Sequence, residues 1–218
     1  NTAGNRLKDA GFEEGTLWTV AGNASQSIAS GVSYLGNRSL KVVSAASELT
    51  DGVRGASVTV APGESYTFSA YVKSTAGASA KLTFTGATGA IVPSDTLSGA
   101  TEWTRLEISY TNTGNTAVTV SPGLVVNGTV YMDCAQLEKA AAASRYNLVE
   151  NGDFSHNAYG WSYTGLSGAD GIISASPAAP AVELGSAALK ITGDVITNKS
   201  AYQTLPISGS AGDTFVLA

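Results

Sequence analysis

The chain has 218 residues, only 13% of them charged, with a net charge of −5 and a pI near 4.8. An acidic chain lacks the basic face that a phosphate backbone requires, so nucleic acid is not an expected partner. No apolar run approaches the ~18 residues needed to span a bilayer, so membrane insertion is not expected either. The single cysteine, Cys134, allows no intrachain disulfide and reads as a small core hydrophobe. The first residue is not Met and the last residues are apolar, which reads as a piece of a longer protein.

Taken in chain order, period-2 alternation governs the sequence from Val53 onward. In residues 66–73, Tyr66, Phe68, Ala70 and Val72 share one face, while Thr67, Ser69, Tyr71 and Lys73 share the other. Residues 81–85 repeat this with Leu82 and Phe84 inward. Residues 104–110 do so with Leu106, Ile108 and Tyr110 inward. Val118 and Val120 mark another strand, and Val130, Met132 and Cys134 one more. Turn signals separate the runs at Asp51-Gly52, Pro62-Gly63, residues 86–89, Thr113-Gly114-Asn115, Pro122-Gly123 and Asn127-Gly128. Many short strands at this spacing predict an all-β sandwich. Residues 138–144 hold four consecutive alanines but no apolar stripe, so they read as a linker with at most a turn or two of helix.

An internal repeat sets the domain organisation. Residues 5–12 align with residues 147–154, and Trp18 meets Trp161 after one inserted residue. Gly36, Leu40, Lys41, Val42 and Gly63 then meet Gly185, Leu189, Lys190, Ile191 and Gly212 at one constant offset, and Tyr66 and Phe68 meet Phe215 and Leu217. The predicted organisation is a complete module over residues 1–138, a linker over 139–146 and the first half of a second module over 147–218. A half module leaves an apolar face uncovered. Its Phe154, Trp161, Leu189, Ile191 and Phe215 are therefore expected to pack against the first module, another chain or absent sequence.

Phe12-Glu13 followed by Trp18, Ser39-Leu40-Lys41-Val42, residues 66–73, Trp103-Thr104-Arg105 and residues 130–138 together resemble the carbohydrate-binding modules of the galactose-binding-like jelly-roll type. That resemblance covers residues 5–138 and implies a jelly-roll β-sandwich. Residues 146–154, Tyr202-Gln203-Thr204 and residues 212–217 look like segments of large bacterial wall-associated proteins that carry RHS (YD-type) repeats. This second resemblance implies a secreted or cell-surface bacterial parent protein. In the resembled modules a structural calcium is often held between the first and last strands. The matching positions are Glu13 and Asp133, with backbone carbonyls near Gly11 and Lys41 as further ligands, and calcium accepts such a mixed set of oxygens. The plainer reading is that Asp133 merely caps or salt-bridges near the edge of the sheet.

Catalysis is not expected. A nucleophile needs a base within reach, and the first module contains no histidine; His156 lies in a polar loop of the second segment. Its acids show no grouping that marks a hydrolytic pair. Sugar binding uses flat rings that stack on the apolar face of a pyranose. Trp18 and Trp161 read as packing residues near the first strand of each copy. Tyr71, Lys73, Trp103, Arg105, Thr83 and Thr85 all face away from the core, and if their faces coincide they form a shallow polar platform with two rings. The alternative is an ordinary solvated sheet face. Two functions follow: a non-catalytic module that binds a cell-surface or cell-wall polysaccharide, or a spacer or plug domain without a carbohydrate ligand.

Overall fold

A computed structural model of the chain describes residues 4–87, 93–174, 187–193, 195, 198–205, 207, 210–212 and 214. Fourteen strands and no helix occur among them: β1 (Thr19–Ala21), β2 (Ser25–Ser30), β3 (Arg38–Ser44), β4 (Gly52–Arg54), β5 (Val58–Val60), β6 (Ser65–Ser74), β7 (Ser79–Thr85), β8 (Leu97–Ser98), β9 (Thr104–Thr111), β10 (Val118–Glu138), β11 (Ser162–Thr164), β12 (Gly171–Ser174), β13 (Ala187–Lys190) and β14 (Ser200–Tyr202). The first ten build an antiparallel jelly-roll sandwich. One sheet runs β1-β4-β10-β7-β8 and the other β2-β3-β10-β6-β9.

The alternation read from sequence holds where it was strongest. Tyr66, Phe68, Ala70 and Val72 of β6, Leu82 and Phe84 of β7, and Leu106, Ile108 and Tyr110 of β9 are all buried between the sheets. Phe12 and Val130 complete the same core with no exposed surface. Trp18 packs on it as expected, its ring 6.0 Å from those of Phe12 and Phe68. Cys134 is buried at 2% exposure, and burial pushes its thiol far above the usual range.

Two turn expectations are corrected, and one cover over the sheet is added. Pro122-Gly123 and Asn127-Gly128 are not turns: they lie inside the 21-residue strand β10, which changes sheets along its length. Residues 121–127 pair with β7 in the first sheet, and residues 128–132 pair with β3 in the second. Gly128 stands at the crossing with φ near 80°, a conformation that suits a residue without Cβ. Residues 139–144 form no helix but cross the outer face of the second sheet. Thr67 and Ser69, expected in solvent, are therefore buried beneath them.

After residue 138 the strands are short pairs: β11 with β14 and β12 with β13. No apolar residue described there is buried, and Ile191 is 42% exposed. Phe154 and Trp161 meet each other with ring centroids 5.2 Å apart and planes tilted by 31°. The contacts back to residues 4–14 are largely polar: Ala10 N donates to Glu150 Oε1, the Tyr159 hydroxyl donates to Glu14 Oε2, and Lys8 sits over the Tyr159 ring. Ile191 is thus not buried against the first module, and Phe215 lies outside the described residues.

Candidate functional site

The outer face of the second sheet carries the arrangement that matters, and the pairing register lays it out. Asp133 of β10 lies opposite Tyr71 of β6, and Tyr71 opposite Arg105 of β9. One step along, Lys41 of β3 lies opposite Tyr131, and Tyr131 opposite Lys73. Trp103 immediately precedes β9 at the same end. Four of the six residues expected to form a platform, Tyr71, Lys73, Trp103 and Arg105, are therefore brought together.

Thr83 and Thr85 are not among them. They belong to β7 in the first sheet, where they alternate with the buried Leu82 and Phe84. They face outward on the opposite side of the sandwich. Alternation fixes which face of a strand a residue occupies, but not which of two stacked sheets the strand joins.

Tyr34 was not anticipated. It lies in the loop between β2 and β3, where no periodicity marks it; its placement between Gly31 and Gly36 is the one available sign. Its ring stacks on Tyr71 with centroids 3.6 Å apart and planes 10° from parallel, and it meets Trp103 edge-on at 6.3 Å. Tyr71 and Trp103 are half-buried as a result, whereas Tyr34 is 45% exposed. The three rings form an aromatic wall whose solvent side is Tyr34.

Asp133 holds that wall in place. Its Oδ2 accepts from Tyr34 N at 2.7 Å and Leu35 N at 3.0 Å, and its Oδ1 accepts from Cys134 N at 2.6 Å. A register shift between Asp133 and Gln136 turns this part of β10 aside, as bulges do when they re-aim side chains. Ala135 N then donates to Ala10 O instead. Glu13 supports the same loop: its Oε1 accepts from Asn37 N and Arg38 N at 2.7 and 2.9 Å. Burial pushes the Asp133 carboxyl up to about 6, against the pull of its N–H donors.

The calcium candidates can be set against this geometry. A Cβ placed on Gly11 would lie 3.9 Å from Asp133 Oδ1 and 3.9 Å from Glu13 Cγ, so these three positions are neighbours. Lys41 is held in the ladder opposite Tyr131, two residues from the position facing Asp133. Among the described residues no group of three or more His, Cys, Asp or Glu side chains gathers as metal ligands. Both carboxylates already accept from backbone N–H groups, Asp133 from Tyr34, Leu35 and Cys134 and Glu13 from Asn37 and Arg38.

The other end of the face is covered. Thr67 Oγ1 donates to Ala140 O at 2.8 Å, and Ser109 Oγ donates to Ala141 O at 3.2 Å. Arg105 Nη2 donates to Ser69 Oγ and to Ser144 O, while Ser144 N donates to Glu138 Oε2. Residues 139–144 are thereby strapped across β6 and β9, and the open surface is confined to the end bearing Tyr34, Tyr71, Trp103, Tyr131, Lys41 and Lys73.

Residues 4–126 match the family model described as a carbohydrate binding domain. Among solved structures, the chain is similar to the CBM22-1 xylan-binding domain of Paenibacillus barcinonensis Xyn10C, with 23% identity, 66% of this chain and 99% of that chain covered, and a TM-score of 0.49. It is similar also to the C-terminal family 22 carbohydrate binding module of Clostridium thermocellum Xyn10B, with 21% identity, coverage of 65% and 97%, and a TM-score of 0.49. A third likeness is to TmCBM61 in complex with β-1,4-galactotriose, with 18% identity, coverage of 62% and 99%, and a TM-score of 0.43. No curated protein matches the chain.

Proposed function

The chain belongs to the carbohydrate binding domain family, and from that premise we propose that the open end of its second sheet binds a glycan without acting on it. The observation that carries the reading is the aromatic wall: an exposed ring, Tyr34, in contact with both Tyr71 and Trp103, beside polar side chains on a shallow face. An exposed ring held by a rigid second layer offers a flat apolar surface to a pyranose at little entropic cost. Tyr34 is the stacking residue in this reading, Tyr71 and Trp103 back it, and Asp133 positions its loop. Calcium at Glu13 and Asp133 would serve the same end by stiffening that loop.

A secreted bacterial parent, with a cell-surface or cell-wall polysaccharide as target, forms part of the proposal. It rests on the likeness of residues 146–217 to segments of RHS-repeat proteins. The spacer reading draws on one observation: Tyr34 covers a face of Tyr71, as packing alone would require. A glycan array on the intact chain, repeated with Tyr34→Ala, separates the two. Retained glycans that are lost in the variant support the proposal; no retained glycan on the wild-type chain overturns it in favour of the spacer.

A further inference from the structure

We infer that the glycan taken by this face is an acidic one, held through its carboxylates by Lys41 and Lys73; this rests on the binding reading above. Lys41, Tyr131 and Lys73 stand directly opposite one another on three adjacent strands, β3, β10 and β6. With adjacent strands just under 5 Å apart, the two lysine Cα atoms are about 10 Å apart, with the Tyr131 ring between them. Both lysine side chains are half-buried, on the one end of the sheet face that the strap leaves open.

Two cations on one line across a sheet repel each other and gain from an anion placed between them. The protein supplies none at bonding distance. Its ion pairs among the described residues are Arg6–Asp153, Lys139–Glu64 and Lys199–Asp170, and neither Lys41 nor Lys73 takes part in one. Nor does either side chain make a hydrogen bond among those residues. The closest carboxylate by register, Asp133, spends its oxygens on the N–H groups of Tyr34, Leu35 and Cys134. Acids outnumber bases in the chain, 17 to 12, so an unpaired lysine pair beside four aromatic rings runs against the composition. The rings fit the apolar face of a sugar, and two flexible ammonium groups fit a carboxylate at its rim. A uronate-bearing polysaccharide satisfies both.

The test measures binding of the intact chain to matched polymers. Polygalacturonate, alginate, hyaluronan and glucuronoxylan are each compared with the same polymer after its carboxyl groups are esterified or reduced. The expected result is that at least one acidic form binds roughly tenfold or more tightly than its neutral partner, the scale of one charge-assisted hydrogen bond. The preference should shrink as salt rises. The variant Lys41→Gln/Lys73→Gln should lose the preference for the acidic form while keeping the wild-type melting temperature. Lys41→Arg/Lys73→Arg should restore it. Equal binding of acidic and neutral forms across the panel overturns this inference and leaves the glycan-binding reading standing. Failure to bind any glycan, acidic or neutral, overturns both.

Discussion

A carboxylate with no solvent exposure must be met by donors or a cation, and Asp133 shows how far donors alone go. Three N–H groups hold it, yet desolvation still pushes its carboxyl up to about 6 from an ordinary value of 3.8. Between those two values the folded state keeps a proton that the unfolded state releases. The stabilisation from Asp133 is therefore complete below pH 4 and is lost as pH rises through about 6, a change of about 3 kcal/mol. Asp133→Asn should flatten the melting temperature across that window, and a wild-type slope surviving in the variant would assign it elsewhere. The same residue tests calcium. With an ion on Glu13 and Asp133, chelator should lower the melting temperature at pH 7 by mass action, and Asp133→Asn should remove the effect. An unchanged curve with and without chelator would end the calcium proposal. Sequence brought Glu13 and Asp133 into view through resemblance, but not the loop they hold. Tyr34 sits where no alternation operates, so only the fold reveals that it faces Tyr71. For the same reason its test is separable from stability: Tyr34→Ala should weaken glycan binding by roughly 1 kcal/mol or more, while an exposed ring leaves the melting temperature nearly unchanged. Undiminished binding would remove Tyr34 from the site.

Strand β10 is the element on which the sandwich turns, because one continuous chain serves as the middle strand of both sheets. Local chemistry disguises it. Pro-Gly and Asn-Gly are strong turn signals, and without the tertiary contacts they divide the strand in three. Tertiary pairing overrides them: Pro122 lies opposite Phe84, and Gly128 carries the positive φ that lets the backbone pass from one sheet to the other. The strands with unbroken alternation, β6, β7 and β9, were legible because each turns one apolar face to the core and one polar face outward, even where residues 139–144 cover that polar face on β6. Their sheet partners were not legible, since a period of two is the same in either sheet, and Thr83 and Thr85 were misplaced on that account. Gly128→Ala probes the crossing. Its Cβ would come 2.7 Å from Ala78 Cβ, in a conformation that already disfavours any side chain. Backbone strain and overpacking together should cost about 2–4 kcal/mol, read as a fall in denaturation midpoint. A loss below about 0.5 kcal/mol would mean that the crossing tolerates a side chain and is not fixed by glycine.

At the scale of the whole molecule, the two copies agree in backbone detail that sequence alignment alone does not display. Asp9, Phe12, Gly15 and Gly22 have positive φ, and so do their counterparts Asn151, Phe154, Asn157 and Gly165. Leu7 N donates to Asn5 Oδ1 as Val149 N does to Asn147 Oδ1, and Glu14 N donates to Asp9 Oδ1 as His156 N does to Asn151 Oδ1. The strand pairs correspond too: β1 with β4 matches β11 with β14, and β2 with β3 matches β12 with β13. What differs is burial. In the first copy these strands close over Phe68, Leu82 and Val130, whereas no apolar residue described after position 138 is buried. Local turns and two-strand ladders form from short-range sequence, but their stability comes from a packed face, and two-stranded pairs are marginal without one. Hydrogen exchange on the intact chain should therefore separate the copies. Amides of β11–β14 should exchange orders of magnitude faster than those of β3, β6 and the 128–138 stretch of β10, because local opening there exposes little buried surface. Glu150 and Tyr159 bond to the first module, so residues 147–160 should show intermediate protection, lowered further by Glu14→Ala. Protection of β11–β14 equal to that of β3 and β6 would show a second copy that folds on its own, against the expectation that it needs a partner.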